Sequence, residues 1–313
     1  MSRLSSWKSL VPNAAKRWVR GFSPAARLMG QLSPYLPAVV CVDVGASYYP
    51  HAKWRVFLES PRTRWIAVEP NAANLGYIRT WAWPSKVSAV TTGLSQHGGR
   101  QDLHITNVDS GSSLLEPVIA AGMAQRIQNH DYFFPFRKQQ IDTLTLTQVV
   151  ADADPSAPVF VKLDTQGTEL SILAGAEPLL RSRRIVGIEL ESTLQAQPVM
   201  QGAGKFWQAC QYLEDLGFEL LHIKPIYGPS RFGTPAMRSH TFLNECDAVF
   251  ALRPDVAKAL AVEVRVALLG FYISNGFFEE SLSSLEDAQV RAFLDKSGCD
   301  CARLTKTLRS MAR

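Results

Sequence analysis

The chain has 313 residues, 46% of them hydrophobic, which is enough for one large α/β domain with an added segment or, at most, two domains. Its longest stretch without a charge, residues 28–42, contains Gly30, Pro34 and Pro37, so it is too short and too interrupted to cross a bilayer. Five cysteines without a CxxC pair argue against a disulfide framework and against a structural metal site. We therefore expect a soluble, cytoplasmic protein that holds no metal.

The net charge of +5 is carried by the first 42 residues, where basic side chains occur without an acidic one. These are Arg3, Lys8, Lys16, Arg17, Arg20 and Arg27. A basic, amphipathic start predicts a solvated helix packed on its own domain, and it leaves open a peripheral contact with an anionic membrane surface. Because no aromatic stacking motif accompanies the charges, we expect no nucleic-acid partner.

In chain order, apolar runs typical of buried strands alternate with helical patterns. The predicted strands are 38–44, 65–68, 87–91, 159–163, 185–190, 218–223 and 248–252, and the predicted helices are 52–59, 72–81, 170–181 and 205–216. Gly217 is well placed to end the last of these helices. This alternation predicts an α/β fold with a doubly wound, mostly parallel sheet.

Two segments depart from the alternation. Gly98-Gly99, within 95–145, predicts a hairpin turn between short strands, and the Pro- and Gly-rich segment 224–245 predicts a long connection between the last two strands. After Pro254 the pattern is helical through 256–273 and 283–312. We therefore divide the chain into a basic N-terminal helical segment (1–37), an α/β domain (38–254) and a helical C-terminal appendage (255–313), which could provide a homo-oligomer contact.

Two predicted strands end in an acidic residue at the edge where such sheets bind ligands. Asp43 is followed by Gly45, which allows the backbone to turn sharply and approach a ligand, and Glu69 ends the next strand. An acid at the end of the second strand is suited to accept hydrogen bonds from both ribose hydroxyls. Together the two acids indicate a nucleoside ligand.

The residues after Gly45 do not match the G-x-G-x-x-G pattern that brings a helix onto a pyrophosphate. Tyr49 occupies a position where close packing requires glycine, which favours a ligand without pyrophosphate. S-adenosylmethionine, an adenosine derivative without phosphate, meets this requirement. A dinucleotide-dependent oxidoreductase and a non-catalytic scaffold module remain as alternatives.

A series of short motifs in a fixed order resembles the FkbM family of S-adenosylmethionine-dependent methyltransferases over about residues 38–253. The motifs are Val-Asp-Val-Gly-Ala (42–46), Val-Glu-Pro-Asn (68–71), Ser-Ser-Leu (112–114), Ile-Asp-Thr-Leu (141–144), Lys-Leu-Asp-Thr-Gln-Gly-Thr-Glu (162–169), Ala-Gly-Ala (174–176) and Gly-Ile-Glu-Leu (187–190). The resemblance implies a class I methyltransferase, with a Rossmann-like, seven-stranded sheet whose last strand is antiparallel. It also implies O-methylation of a sugar, glycolipid or natural-product hydroxyl.

The resemblance assigns the cofactor site residue by residue. It places the methionine end of S-adenosylmethionine at Asp43, Gly45 and Ala46, and the ribose at Glu69. Ser47 and Asn71 are further candidate cofactor residues, although Ser47 and Tyr49 stand where many members of the family carry Asn and Gly. Gly93 and Leu94 would border the adenine, whereas Gln166, Gly167 and Glu169 would line the same edge. Asp164 would lie near the methionine amine or the transferring methyl, and is also our candidate catalytic residue.

The acceptor side is predicted from the second long connection. His240, a candidate base, and the two basic residues Arg231 and Arg238 lie in the segment 224–245, which this topology brings to the cofactor side of the sheet. Together they would suit an acidic or phosphorylated small-molecule or glycan acceptor.

Overall fold

The computed structural model describes residues 24–47, 53–79, 86–118, 133–227 and 243–312. A large sheet is built from β1 (Val39–Val44), β2 (Thr63–Val68), β3 (Lys86–Val90), β7 (Val159–Leu163), β8 (Ile185–Thr193), β9 (Phe218–Tyr227) and β10 (Leu243–Leu252). Its seven strands follow the order β3-β2-β1-β7-β8-β10-β9, and β10 runs antiparallel to both of its neighbours. The predicted mostly parallel sheet with an antiparallel last strand is confirmed.

The central strands β1 and β7 are completely buried, as their largely apolar sequences predict. They pair in parallel with Val44 opposite Leu163, so both strands end at the same edge of the sheet. On its other side β1 pairs with β2, with Val44 opposite Val68. This register brings Gly45, Glu69 and Asp164 to one edge, because each directly follows the end of its strand.

A second, three-stranded sheet packs beside this edge. It is formed by β4 (Gly93–Leu94), β5 (Gly99–Thr106) and β6 (Pro135–Leu144) in the order β4-β6-β5. The predicted hairpin at Gly98-Gly99 is wrong, because β4 and β5 do not pair with each other but lie on opposite sides of β6. Both glycines do have the positive φ angles of a tight turn, 71° and 87°.

Eleven α-helices occur within the described residues. They are α1 (Pro24–Leu32), α2 (Ala72–Arg79), α3 (Leu146–Val149), α4 (Glu169–Gly175), α5 (Glu177–Arg181), α6 (Phe206–Asp215), α7 (Pro254–Lys258), α8 (Val262–Asn275), α9 (Phe278–Glu286), α10 (Ala288–Lys296) and α11 (Cys301–Met311). The predicted helix 170–181 is in fact two helices divided at Ala176, with Pro178 in the first turn of the second. Within the predicted helix 52–59, Trp54–Glu59 is a 3-10 helix.

The C-terminal helices and the sheet share one hydrophobic core. Phe160 of β7 stacks on Phe271 of α8 with ring centroids 5.0 Å apart, and α1 packs against α8 and α11. The predicted division at residue 254 therefore falls between elements that share this core. No helix of the described chain combines the length and hydropathy needed to span a membrane. The predicted membrane contact involves mainly residues 1–23, which lie outside the described residues.

Candidate active site

A cavity of about 400 Å³ lies where the carboxyl ends of β1, β2 and β7 meet the second sheet. Its volume falls in the range that binds small molecules and cofactors. The floor includes Val44, Gly45, Ser47, Glu69 and Asp164, and the facing wall of the second sheet contributes Leu103, Ile105, Arg137, Gln139 and Ile141. The fold therefore encloses the predicted ligand edge between two sheets.

Gly45 allows the loops after β1 and β7 to touch. Its φ angle is 72°, and a Cβ atom at this position would lie 1.9 Å from the carbonyl oxygen of Asp164. The backbone N–H groups of Gly45 and Ala46 both donate to the carbonyl of Val68, at 3.0 and 3.2 Å. These contacts hold the turn close to both neighbouring strands, so the backbone after β1 borders the cavity directly.

Glu69 is buried and organises the loops at one end of the cavity. One of its carboxylate oxygens accepts the backbone N–H of Ser47 at 3.1 Å, and the other accepts that of Asn71 at 2.9 Å. Burial raises the pKa of Glu69, and these two hydrogen bonds partly offset the effect. A carboxylate accepts about four hydrogen bonds, and the side chain of Asn74 provides a third donor, so about one acceptor position remains for a ligand hydroxyl.

Asp109 connects this end of the cavity to the second sheet. Its Oδ2 atom accepts hydrogen bonds from the Asn71 amide at 3.0 Å and from the Asn74 amide at 2.6 Å. It lies in the 3-10 helix Asp109–Gly111 and lines the cavity. Asn71, which the sequence predicts to bind the cofactor, therefore donates its side-chain amide to Asp109, a residue that no sequence pattern indicated.

Gly93 and Leu94, predicted to border the adenine, are brought to the cavity wall. A Cβ atom on Gly93 would lie 2.9 Å from Ile141 Cδ1, so the glycine allows β4 to pack closely on β6. Thr92, just before β4, donates a hydrogen bond to the carbonyl of Asp142 at 2.7 Å. Main-chain packing therefore fixes this wall.

Lys162 forms ion pairs with two acidic residues, Asp43 near the end of β1 and Asp164 directly after β7. Its ammonium group lies 3.5 Å from Asp43 Oδ1 and 3.2 Å from Asp164 Oδ2. Burial alone would lower the pKa of Lys162, but the two carboxylates reverse this effect and raise it, so the lysine is charged. The side chain of Asp43 is 1% exposed and faces this lysine, whereas Asp164 lines the cavity.

Asp164 is held as a carboxylate at the other end of the cavity. Burial would raise its pKa, but the charge of Lys162 and hydrogen bonds from Glu191, Lys162 and Gln166 bring the pKa below its usual value. The Gln166 amide lies 3.3 Å from Asp164 and 2.7 Å from Glu191. Gln166 adopts a positive φ of 57°, which turns the loop after β7 so that its side chain joins the two acids.

A second, much smaller cavity of about 30 Å³ adjoins this loop. Three predicted cofactor residues, Gln166, Gly167 and Glu169, line it rather than the large cavity. Glu169 is buried and accepts hydrogen bonds from the backbone N–H groups of Thr165 and Gly167 at 2.7 and 3.2 Å. Burial raises the pKa of Glu169, and the hydrogen bonds partly offset the effect.

Glu189 fixes the segment that follows the turn after β1. Its carboxylate accepts hydrogen bonds from Lys53 Nζ at 3.2 Å and from Trp54 Nε1 at 3.4 Å. Glu189 lies within the buried strand β8, and Lys162 lies opposite it on β7. No sequence pattern assigned a role to Glu189 or Lys162, although a charged residue within an otherwise apolar strand indicates a buried partner.

The predicted acceptor residues Arg231, Arg238 and His240 lie outside the described residues, within 228–242. Their assignment therefore stays a prediction. The roles predicted for Asp43, Ala46 and Asp164 are likewise predictions, although the structure places all three at the same edge.

The strand order, the antiparallel last strand and the cavity at the carboxyl edge define a class I methyltransferase fold. The model of the methyltransferase FkbM domain matches residues 43–220, more than half of the chain, so the protein belongs to this family. The resemblance inferred from the motifs is confirmed. The methyl donor of the family, S-adenosylmethionine, is accordingly the cofactor.

Solved structures similar to this chain are methyltransferases with low sequence identity. The precorrin-6y C5,15-methyltransferase of Geobacter metallireducens is 14% identical, with 73% of this chain and 87% of that chain covered at a TM-score of 0.31. A TehB-like methyltransferase of Corynebacterium glutamicum is 12% identical, with 77% and 97% covered at 0.29. The plantazolicin methyltransferase BpumL, solved with S-adenosylhomocysteine, is 9% identical, with 77% and 87% covered at 0.33.

These identities and TM-scores are too low to transfer a substrate from any of the three proteins. A sequence search among curated proteins finds no match.

Proposed function

We propose that the protein transfers a methyl group from S-adenosylmethionine to a hydroxyl oxygen of a sugar, glycolipid or natural product. The observation that supports this most directly is the pair of acids at opposite ends of one cavity, Glu69 and Asp164. S-adenosylmethionine, when bound, supplies an electrophilic methyl group on a sulfonium centre. The protein then has to hold the donor, align the acceptor and receive a proton.

Glu69 is suited to bind the ribose. The backbone N–H groups of Ser47 and Asn71 and the side chain of Asn74 fix the orientation of its carboxylate and leave about one of its four acceptor positions. A ribose hydroxyl can donate to this position. Gly93 and Leu94 form the wall next to Glu69, which suits the flat adenine ring.

The other end of the cavity is suited to the methionine portion. Gly45 and Asp164 line the cavity there, and Lys162 and Gln166 keep the Asp164 carboxylate ionised. A carboxylate in this position attracts both the ammonium group and the sulfonium of the donor. Asp43, whose side chain is buried against Lys162, acts through that lysine rather than by direct contact.

The acceptor identity can be tested with the purified protein, methyl-labelled S-adenosylmethionine and an extract of the cells that make the protein. We expect label in a product whose new methyl group is bound to oxygen, as identified by mass spectrometry and NMR. A control reaction uses the Glu69→Ala variant, which should label far less product at a limiting donor concentration. A product methylated on nitrogen, sulfur or carbon, or no labelled product, contradicts the proposal.

A further inference from the structure

We propose that the small cavity beside Asp164 receives the reacting hydroxyl of the acceptor, and that Glu245 is the general base that removes the proton of this hydroxyl. This inference rests on the proposed O-methylation, since a hydroxyl must lose its proton during transfer. Glu245 opposes Thr193 at the end of β10 that meets the carboxyl end of β8, and it lines the cavity. This is the same sheet edge that bears Asp164.

The side chain of Gln166 lies between the small cavity and the cofactor cavity. Its amide contacts Asp164, which lines the large cavity, and Glu191, which lines the small one. The remaining lining is Phe133, Gly167, Glu169, Ser192, Thr193, Pro198, Val199, Met200, Ala203 and Glu245. The two cavities therefore flank the same side chain, at the end of the donor site where we place the methionine portion.

The other carboxylates at this edge are occupied. Glu169 accepts hydrogen bonds from its own loop, Asp164 is paired with Lys162, and Asp247 is paired with Lys224 at 2.6 Å. Burial and the neighbouring charge of Asp164 raise the pKa of Glu191 well above its usual value, and the Glu191 carboxyl is hydrogen-bonded to Asp164 and to the Gln166 amide. Each of these four carboxyl groups therefore already has a bonding partner.

Glu245 differs from all of them. Within the described part of the chain, no group donates a hydrogen bond to its carboxylate, and no cation pairs with it. Burial, followed by the charges of Glu169, Asp164 and Asp247, raises the pKa of Glu245 to about 7. A base is most effective when its pKa lies near the working pH, because it is then both available and sufficiently basic.

The composition of the small cavity also restricts the acceptor. Its described lining contains carboxyl groups, an amide and hydroxyls but no lysine or arginine. A phosphorylated or carboxylated reacting end would be repelled there, whereas a neutral polyhydroxylated acceptor can donate hydrogen bonds to Glu191 and Glu245. We therefore expect a neutral sugar or polyol portion at the reacting end. The acceptor oxygen bonds to the methyl carbon as the carbon–sulfur bond breaks, the electron pair stays on sulfur, and the hydroxyl proton moves to Glu245.

The test compares Glu245→Gln with Asp247→Asn, a control two residues along the same strand that also converts a carboxylate to its amide. With saturating S-adenosylmethionine and the acceptor identified in the extract assay, we expect kcat to fall about 100-fold or more in E245Q. The D247N variant should stay within about threefold of the wild type. Affinity for S-adenosylhomocysteine, measured by calorimetry, should change less than about twofold in both variants.

The pH profile separates a base from a merely structural residue. The wild-type kcat should rise as pH increases through about 7, and E245Q should lack this limb. The charged or titratable groups facing Glu245 are Asp164 after β7, Glu169 of α4, Glu191 of β8 and Asp247 of β10, with Lys162 and Lys224 paired to two of them.

A variant E245Q that keeps more than about a tenth of the wild-type rate overturns the assignment. If E245Q fails to bind S-adenosylhomocysteine, the pH dependence of the wild-type kcat is the deciding measurement. A wild-type kcat that rises near the usual glutamate pKa of about 4.3, instead of near 7, also overturns the assignment of Glu245 as the base. A wild-type enzyme that methylates no hydroxyl refutes the proposed function itself. The two failures are distinguishable, because failure of the base assignment alone leaves both wild type and variant active on oxygen.

Discussion

Replacing Lys162 by methionine should destabilise the fold by about 3–5 kcal/mol near neutral pH, because it removes the ammonium group that faces a buried carboxylate. The penalty comes mainly from Asp43, whose side chain is 1% exposed and 3.5 Å from the ammonium group. Asp164 is 39% exposed, so water can compensate much of its loss. Methionine has a similar length and no charge, which keeps the packing change small.

Urea unfolding followed by tryptophan fluorescence measures this difference in unfolding free energy. The double variant K162M/D43N also removes the carboxylate of Asp43, so it should recover about half or more of the lost unfolding free energy. Lys224→Met is the matched control, because its ion pair with Asp247 has the lysine side chain 64% exposed, and it should cost less than about 1 kcal/mol.

The pH dependence gives a further check with a defined sign. The pKa of Asp164 is lowered in the folded protein, so its stabilising contribution is present above the unfolded value of about 3.9 and is lost as pH falls through the folded value. In K162M the charge that lowers the pKa of Asp164 is absent, so the deficit relative to wild type should shrink as pH falls below about 4. A deficit below about 1 kcal/mol, or one that the double variant does not reduce, refutes the buried-bridge explanation.

Three further predictions concern cofactor binding and the turn after β1. Glu69→Gln should weaken S-adenosylhomocysteine binding by about 1.5–3 kcal/mol in calorimetry. Burial raises the pKa of Glu69, so wild-type affinity should fall when acid protonates this carboxylate, whereas the affinity of E69Q should not depend on pH in this way. Gly45→Ala should lower the urea midpoint far more than Gly99→Ala, because both have positive φ but only Gly45 lacks space for a Cβ. Asp164→Asn should weaken binding of the cationic donor about tenfold more than binding of neutral S-adenosylhomocysteine, and equal losses would rule out contact with the sulfonium or its surroundings.

The sequence predicts the buried centre of the fold well. The boundaries of β7 are those of its largely apolar run, Val159–Leu163, because Pro158 and Asp164 interrupt the pattern on both sides. The strands β9 and β10 are longer than predicted and include Lys224–Tyr227 and Leu243–Asp247, which the sequence assigned largely to a connection. The added residues include Lys224, Asn244, Glu245 and Asp247, so hydrophobicity does not reveal that they belong to strands.

Pairing between distant segments is the part that local patterns miss. The turn at Gly98-Gly99 is visible in the sequence. The insertion of β6 between β4 and β5 is not, because it depends on pairing between residues far apart in the chain, such as Gly93 with Thr143. The ion pair of Lys162 with Asp43 and the hydrogen bonds of Asp109 with Asn71 and Asn74 likewise join residues that are far apart in the sequence. The acids that follow strand ends could be predicted because the end of a parallel strand is itself a local feature.

The charge distribution at the sheet edge connects cofactor turnover with acceptor choice. Asp164 is kept ionised there, and Lys162, its cationic partner, is buried on the side of Asp43. A negative edge attracts a sulfonium but gains nothing from the neutral thioether that remains after transfer. The same edge disfavours an anionic acceptor, since a second negative charge would have to approach Asp164 and Glu245. One arrangement of charges can therefore favour donor over product and neutral over anionic acceptors at the same time.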